Sequence, residues 1–468
     1  MKTDVLIVGG GPAGATSAMF LIQEGIQPLI LEMESFPRYH IGESLTGAGG
    51  KVLRDLGLEA EMYRRGHPRK QGVKVYGQSA RGTWFVPVTG RDKNWELFDW
   101  DTWQVRRSDF DKMMLNEAVS RGASLIPGKA IAPLVNEHGE VRGATVRMPD
   151  GKVETIESEL LLDCSGAATW LANHGGVTGP KYLGAYDKQI AIFSQVANPI
   201  RDHGSTRDTH PDNTLIFYQK KYHWAWFIPL DEETVSVGVV IPSAYFLAQG
   251  ESKRDFFLRE LREMHPELAR RIPTPAELVE DVHVIPNYSY QVKKFTGKGF
   301  VCIGDSHRFI DPIFSFGLTV AMREAQYMAP VARDYLNGRN RDVEHPFSEY
   351  QLFCEKGIDI LEDVLDSFWE YPLAFALLVH ARHPEDMTDM FAGRIYEHQP
   401  SEALKDFRGL LERADDRERS YEHEDLYSVP IGSRYHPERA PIWENNATVE
   451  TTEAWMGPPR EAENRRNA

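Results

Sequence analysis

Three glycines near the amino terminus have the spacing that binds a dinucleotide. Gly9, Gly11 and Gly14 complete the pattern GxGxxG within the run Gly9-Gly10-Gly11-Pro12-Ala13-Gly14. The first glycine permits a tight turn, the second lets a pyrophosphate approach the backbone, and the third lets a helix pack closely on the preceding strand. The amides at the start of that helix would then face the phosphates. An irregular loop of adjacent glycines is the alternative interpretation.

An acidic residue further along is placed to contact a ribose. Glu32 closes a second apolar segment, 18 positions after Gly14, where its carboxylate can accept a hydrogen bond from a ribose hydroxyl. The elements that must position these groups are predicted as a strand over 4–8, a helix over 15–24 and a strand over 28–32. This order predicts a nucleotide-binding domain but does not choose between NAD and FAD.

Two later segments carry groups that could contact the same cofactor. Residues 300–306 (FVCIGDS) predict a strand that ends in Gly304-Asp305, and Asp311-Pro312 then leads into a helix. Residues 104–111 open another helix and include Arg107. A plain helix N-cap is the alternative role for Asp305. No second glycine fingerprint follows, so the sequence shows no site for tightly held NAD(P)H.

Taken together, these segments resemble the FAD enzymes of the para-hydroxybenzoate hydroxylase group, and within it the flavin-dependent halogenases, over roughly residues 1–336. Four segments match halogenase motifs: Gly42-Glu43-Ser44, Lys70-Gln71-Gly72 (Lys-x-Gly), residues 224–229 (WxWxIP) and residues 311–318. The resemblance implies FAD, used as FADH2 from a separate flavin reductase, and a halide ion. It assigns the cofactor contacts to Gly9, Gly11, Pro12, Ala13, Gly14, Glu32, Ser44, Arg107, Asp305, Pro312 and Gly317.

The WxWxIP motif is the most specific of the four. Residues two apart on a strand share a face, so Trp224 and Trp226 are predicted on one side and Ala225 and Phe227 on the other. Two indoles beside a flavin would fill the space in which a hydroxylase holds its substrate. The resemblance implies the same catalytic role, since halogenases keep the organic substrate away from the flavin. A core strand with two buried aromatic residues is the alternative.

Lys70 is the residue to which the resemblance assigns halogen transfer. In the family, oxygen activated on reduced FAD oxidises halide to hypohalous acid, which travels through the protein to a lysine beside the substrate. An amine can hydrogen-bond this acid or form a haloamine, and desolvation would lower its pKa and leave more free amine. Lys74 is the nearby decoy, but Gly72 gives Lys70 the matching spacing. The alternative is a solvated lysine in a basic neighbourhood with Arg64, Arg65 and Arg69.

The halide and substrate sites follow from the same resemblance. The halide is expected at the backbone amides of Phe316 and Gly317, because amides at a helix start bind anions. A small or hydroxylated residue is usual where Phe316 stands, so the halide preference is left open. Tryptophan halogenases carry a glutamate where Phe314 stands, so free tryptophan is not the expected substrate.

The predicted activity is FADH2- and O2-dependent halogenation of an electron-rich aromatic molecule, a phenol or a pyrrole. A free small molecule is favoured over one bound to an acidic carrier protein, since Arg64, Arg65 and Arg69 are too few to form a docking patch. The alternatives are an FAD monooxygenase, an oxidoreductase of the geranylgeranyl reductase type, and a flavoprotein without catalysis. None of these needs WxWxIP together with Lys-x-Gly.

The predicted fold class is α/β, with a Rossmann-like FAD-binding domain, an inserted antiparallel substrate sheet and a C-terminal helical region. The predicted limits are 1–336 for the FAD module, with the insertion at about 60–100 and 175–295, then 337–420 for the helical region and 421–468 for a polar tail. The inserted sheet is assigned strands 124–127, 141–148, 160–164, 190–197, 215–218 and 234–241. In the helical region, Trp369, Tyr371 and Phe375 are interpreted as core rather than pocket residues.

Composition narrows the class of protein. Against 53 Lys and Arg stand 69 Asp and Glu, a net charge of -16 that opposes binding to nucleic acid or anionic lipid. The 3 cysteines contain no CxxC pair, so neither a disulfide framework nor a metal site is expected, and a reducing cytoplasm fits. No apolar stretch approaches the roughly 18 residues that span a bilayer, so a soluble protein is predicted.

Overall fold

The computed structural model describes residues 1–413 except 79–81, 175, 180, 185–187, 287, 293 and 398–401. The predicted polar tail over 421–468 therefore lies outside the described residues. Among the residues that are described, no helix has both the length and the apolar character needed to cross a membrane.

An eight-stranded sheet carries the predicted nucleotide-binding elements. Its parallel centre consists of strands Lys2–Val8, Leu29–Glu32, Ser124–Pro127, Val153–Asp163 and Phe300–Cys302. Antiparallel strands complete it at Lys129–Val135, Val141–Arg147 and Thr296–Gly297. Its helices are Pro12–Gln23, Arg107–Ser120 and Gly317–Leu336. The predicted strand, glycine turn, helix and strand are confirmed in that order.

A seven-stranded sheet forms the second layer. Its order is His283–Pro286, Gln189–Ala197, Thr234–Pro242, His223–Pro229, Thr214–Lys220, Gly72–Tyr76 and Trp84–Pro87. One face packs on helix Lys253–Glu263, and the other packs on the C-terminal helices. The inserted sheet is thus confirmed, although Thr214–Lys220 and Gly72–Tyr76 pair in parallel rather than antiparallel.

The assignment of strands to this second sheet was wrong for three of the six. Ser124–Pro127, Val141–Arg147 and Val153–Asp163 belong to the nucleotide-binding sheet. The physical reason is that apolar alternation marks a strand but does not select its partner, which tertiary pairing decides. The domain limits at 336 and 420 stay a prediction.

Smaller elements connect the two sheets. Short strands pair as Arg69–Lys70 with Thr102–Trp103 and as Thr89–Arg91 with Leu97–Asp99. Tyr290–Val292 is the central strand of a third small sheet, between Lys181–Leu183 and Arg308–Phe309. The connecting helices are Gly47–Asp55, Glu59–Arg64, Trp170–Asn173, Ser243–Gln249 and Pro266–Ala269.

The C-terminal region is helical, as predicted. Its helices are Ser348–Glu370, Pro372–Leu377, Pro384–Phe391 and Glu402–Arg413, with a π-helical turn at Leu378–Arg382. Trp369 and Phe375 are buried in the apolar cluster beneath the second sheet, which confirms their interpretation as core, whereas Tyr371 is half-buried.

Gly14 and Gly11 provide a matched test of the glycine turn. A Cβ on Gly14 would overlap the carbonyl oxygen of Gly9, whereas a Cβ on Gly11 would meet only the guanidinium tip of Arg38, at 3.4 Å. We expect Gly14→Ala to destabilise the fold by about 1–3 kcal/mol, because helix and strand must separate, and Gly11→Ala to leave stability unchanged. Thermal unfolding followed by circular dichroism measures both, and equal losses in the two variants would contradict this account.

Candidate active site

The glycine turn presents an open helix end beside an anchored carboxylate. Glu32 accepts hydrogen bonds from the amides of Gly10 at 2.6 Å and Glu34 at 2.7 Å, so its position at the end of the second strand is fixed. Helix Pro12–Gln23 has Gly11 at its N-cap position. No side chain of the described residues caps the amides of its first turn, which includes Ala13. This end therefore remains available to an anionic group.

Two arginines flank this turn and the Gly-Glu-Ser loop. Arg107 binds Asp111 through two hydrogen bonds of 2.6 and 2.9 Å and donates to the carbonyls of Ile41 and Gly42. Arg38 lies beside Gly11, where a diphosphate would pass, and the sequence analysis missed it. Its only signal was a basic residue in the loop next to the Gly-Glu-Ser motif.

Asp305 lies within a short turn, not at a helix N-cap. The turn Gly304–Ser306 follows strand Phe300–Cys302, and Ile303 occupies the cap position. Desolvation raises the pKa of Asp305 to about 6, although the positive charge of Arg107 favours its carboxylate. The structure thus brings Asp305 and Arg107 into one region.

A buried carboxylate anchors the same turn. Glu324 accepts hydrogen bonds from the amide of Gly304 at 2.6 Å and from His307 Nε2 at 3.0 Å. Within the described part of the chain, His307, Glu324 and Cys354 also bring metal-ligand atom types within 4.8 Å of one another. Because one oxygen of Glu324 already accepts two hydrogens, the arrangement is explained by its role in holding the turn.

The start of helix Gly317–Leu336 borders free space. Pro312 opens a short turn, Pro312–Phe314, after which Phe316 occupies the helix N-cap position without a side-chain hydrogen bond. Phe316 is buried, whereas a Cβ added to Gly317 would meet no atom within 4 Å. These uncapped amides suit an anion or a polar edge of a cofactor. The open glycine turn, Arg38, the carboxylates of Glu32 and Asp305 and these helix amides together fit FAD.

Trp224 and Trp226 share one face of strand His223–Pro229, as predicted. Their rings are 1% and 6% exposed, with centroids 5.9 Å apart, and they join the apolar cluster that contains Phe316. Ala225 and Phe227 face the opposite side. Gly238 on the neighbouring strand makes room for Trp226, because a Cβ there would overlap the indole. The sequence analysis missed this glycine, since an isolated glycine in a strand does not reveal its neighbour.

Lys70 is buried and has no counter-ion among the residues that the structure describes. Its side chain is 2% exposed, and Nζ donates to Ser44 Oγ at 2.8 Å and to the carbonyl oxygen of Leu45 at 3.0 Å. Burial lowers the pKa of Lys70 to about 7. The alternative of a solvated lysine is therefore wrong. Lys74 differs from Lys70 because it pairs with a carboxylate, that of Asp208, at 3.2 Å.

Lys70 opens onto an apolar cavity. Lys70 is the one ionisable side chain among the described residues that line it. Its walls include Val73, Val75, Trp84, Ile313, Phe314, Phe368 and Phe391. Ile313 and Phe314 lead into helix Gly317–Leu336, so the cavity extends from the amine towards the uncapped helix start. The sequence analysis missed Trp84, Phe368 and Phe391 as lining residues, because helical or strand spacing predicts burial but not a pocket.

Ser44 lies against the lysine. Its hydroxyl accepts from Lys70 and lies 3.0 Å from Thr214 Oγ1, although the sequence analysis placed Ser44 at the cofactor. The preceding residue, Glu43, is buried and accepts from Gln195 Nε2 at 3.1 Å. Burial raises the pKa of Glu43 to about 7.

Known proteins are similar to this chain in sequence and in fold. A family model described as an FAD binding domain matches residues 2–342. A brominase of 1H-pyrrole-2-carbonyl-(peptidyl-carrier protein) from Pseudoalteromonas luteoviolacea is 34% identical over 415 residues, covering 88% of this chain and 97% of the relative. The corresponding chlorinase from Pseudomonas fluorescens is 28% identical over 429 residues, covering 87% and 93%.

A solved structure extends the likeness to three dimensions. The flavin-dependent brominase Bmp2 superimposes with a TM-score of 0.81 at 34% sequence identity, covering 89% of this chain and 99% of that chain. These relatives halogenate, so the matches favour a halogenase over the alternative functions of a hydroxylating monooxygenase or a prenyl-chain reductase. The chain belongs to the flavin-dependent halogenases, a family of FAD-dependent oxidoreductases.

Proposed function

We propose that this protein halogenates a pyrrole ring attached to a peptidyl-carrier protein. The observation that carries the proposal is the buried amine of Lys70 at an apolar cavity. Two relatives aligned over most of their length are named for carrier-bound pyrrole substrates, which supports this substrate over the free small molecule favoured by the sequence analysis.

The cavity suits a small, flat, uncharged ring. Its aromatic walls include Phe314, Phe368 and Phe391, and no carboxylate lies among its lining residues to bind a charged amine. An electron-rich pyrrole reacts with electrophilic halogen without an added base on the ring. A carrier arm would leave through the mouth, while the ring reaches Lys70.

Bound FADH2 would supply two of the electrons that reduce molecular oxygen, and halide would supply the other two as it is oxidised to hypohalous acid. We assign the diphosphate and ribose contacts to the glycine turn, Glu32 and Arg107, and the halide to the amides of Phe316 and Gly317. The indoles of Trp224 and Trp226 exclude the pyrrole from the flavin. A separate reductase supplies the reduced flavin, and we propose a cytoplasmic location, where the three buried cysteines stay reduced.

The amine of Lys70 holds the oxidised halogen. With a pKa of about 7, roughly half of the amine is neutral at neutral pH. The neutral amine reacts with hypohalous acid by losing an N–H bond and forming an N–halogen bond, and water leaves. The ring carbon then takes the halogen, the N–halogen electron pair returns to nitrogen, and the ring proton restores the amine.

Replacing the amine tests this role. We expect Lys70→Met to lower halogenation at least about 100-fold, because the side-chain volume is kept while the halogen acceptor is lost. Flavin binding and flavin oxidation should remain. Lys74→Met is the matched control and should retain activity, because Lys74 pairs with Asp208 instead. Halogenated product measured by mass spectrometry at wild-type yield in Lys70→Met would remove Lys70 from the mechanism.

The form of the substrate is tested by comparing carrier-bound and free compounds in separate reactions. Reduced FAD, oxygen and either bromide or chloride are supplied with pyrrole-2-carbonyl on a peptidyl-carrier protein, or with free pyrrole-2-carboxylate or a phenol. We expect product only on the carrier-bound ring, because the carrier is required to deliver it to the cavity. Product is measured by mass spectrometry. Turnover of the free compounds equal to that of the carrier-bound ring would refute carrier delivery.

Burial of Lys70 also has a measurable cost in stability. The unfolded lysine titrates near 10.5 and the folded one near 7, so charge disfavours folding most at pH 7 and below. We expect Lys70→Met to be more stable than the native chain by up to about 5 kcal/mol at pH 7, shrinking to about 1 kcal/mol at pH 9.5. Urea unfolding at the two pH values measures this. A difference that does not change with pH would contradict the burial of a low-pKa amine.

A further inference from the structure

A chain of side-chain hydrogen bonds ties Lys70 to the second sheet. Lys70 Nζ contacts Ser44 Oγ at 2.8 Å, Ser44 Oγ lies 3.0 Å from Thr214 Oγ1, and Gln104 Nε2 donates to Thr214 Oγ1 at 2.8 Å. All four side chains are buried, with Thr214 and Gln104 fully inaccessible. Such a network holds one geometry, because each broken contact would leave a buried polar group unsatisfied.

This hydrogen-bonded network runs from a short strand to the second sheet, whose strand Gly72–Tyr76 begins two residues after Lys70 and pairs with Thr214–Lys220. Lys70 lies on the short strand Arg69–Lys70, which pairs only with Thr102–Trp103 among the described strands. Thr214 begins strand Thr214–Lys220, in which Ile216 is the direct neighbour of Trp226. The hydroxyl pair of Ser44 and Thr214 therefore fixes the amine relative to the sheet that carries the two tryptophans.

Gln104 fixes the donor direction at one end of this hydrogen-bond network. Its Nε2 also donates to the carbonyl oxygen of Asp212 at 3.0 Å, and a carbonyl can only accept, so the orientation of the amide is determined. The oxygen of Thr214 must accordingly accept from Gln104. The backbones of Ser44 and Gln104 form an isolated β-bridge, which keeps the participating residues together.

We propose that Thr214, acting through Ser44, is a positioning residue that directs one free bonding position of the Lys70 nitrogen into the cavity. The nitrogen has three bonding positions besides its carbon, and Ser44 and Leu45 occupy two of them. The third remains for the halogen. The inference rests on the proposed role of Lys70, whose flexible four-carbon stem would otherwise sample several rotamers.

The hydroxyl pair also serves both charge states of the amine. When Lys70 is protonated, Ser44 accepts from Nζ and donates its own hydrogen to Thr214. When the amine is neutral, Nζ can still donate to Ser44 and to Leu45, so that its lone pair takes the third position. Replacing Thr214 by valine removes the acceptor for the Ser44 hydroxyl, which would then turn and donate to that lone pair. The neutral state would then be favoured.

The charged groups around Lys70 are engaged elsewhere. Arg54 and Arg69 both pair with Asp101, and Arg201 pairs with Asp212. Glu43, adjacent to Ser44, titrates near pH 7 as well but hydrogen-bonds Gln195. A pH profile of activity would therefore combine the titrations of Glu43 and Lys70. The test must measure the titration of the Lys70 amine directly.

Thr214→Val and Thr214→Ser form a matched pair. Valine keeps the shape without the hydroxyl, and serine keeps the hydroxyl without the methyl group. In the FAD-loaded protein labelled with ¹³C on lysine, the Lys70 resonance is identified by its loss in Lys70→Met. We expect its titration midpoint to fall by about one pH unit in Thr214→Val and to stay unchanged in Thr214→Ser. An unchanged midpoint in valine, or equal shifts in both variants, would overturn the proposal.

A second measurement separates positioning from the choice of substrate. With carrier-bound pyrrole, we expect Thr214→Val to bind FAD normally but to form about tenfold less product per flavin oxidised, with the missing halogen captured by a dissolved hypohalous acid trap. Thr214→Ser should restore the product. Product unchanged in Thr214→Val would overturn the proposal. A midpoint shift in a protein whose native form never halogenates pyrrole would support Thr214 while refuting the substrate.

Discussion

A lysine amine enclosed by uncharged groups is the constraint around which the rest of the site is organised. Lys70 has a serine hydroxyl and a backbone carbonyl as its hydrogen-bond partners, so no carboxylate in the described ranges offsets its desolvation. Burial therefore lowers the pKa of the amine. A carboxylate at the same position would favour the charged form of the amine.

The second sheet is the scaffold that makes this arrangement possible. One of its faces carries Trp224 and Trp226, and Thr214 on the adjacent strand reaches Lys70 through Ser44. Gly238 admits the indole of Trp226, so the wall and the lysine depend on complementary features of neighbouring strands. Rigid strands hold side chains more precisely than loops do, as the proposed halogen transfer would require.

The Gly-Glu-Ser loop links residues that are far apart in the chain. The carbonyl oxygen of Gly42 accepts from Arg107, Glu43 reaches the second sheet through Gln195, and Ser44 contacts Lys70. Three consecutive residues thus contact three different parts of the site.

The sequence by itself determined the local elements and the residue types that could perform chemistry. The glycine turn, Glu32, the shared face of the two tryptophans and the C-terminal helices follow from rules that act over a few residues, namely turn conformation, strand alternation and helical spacing. Only the tertiary structure decided that three predicted strands join the first sheet, that Phe368 rather than Trp369 lines the cavity, and that Ser44 and Thr214 hold Lys70. These facts depend on contacts between residues far apart in the chain, for example the 170 positions that separate Ser44 from Thr214, and local periodicity carries no information about such pairings.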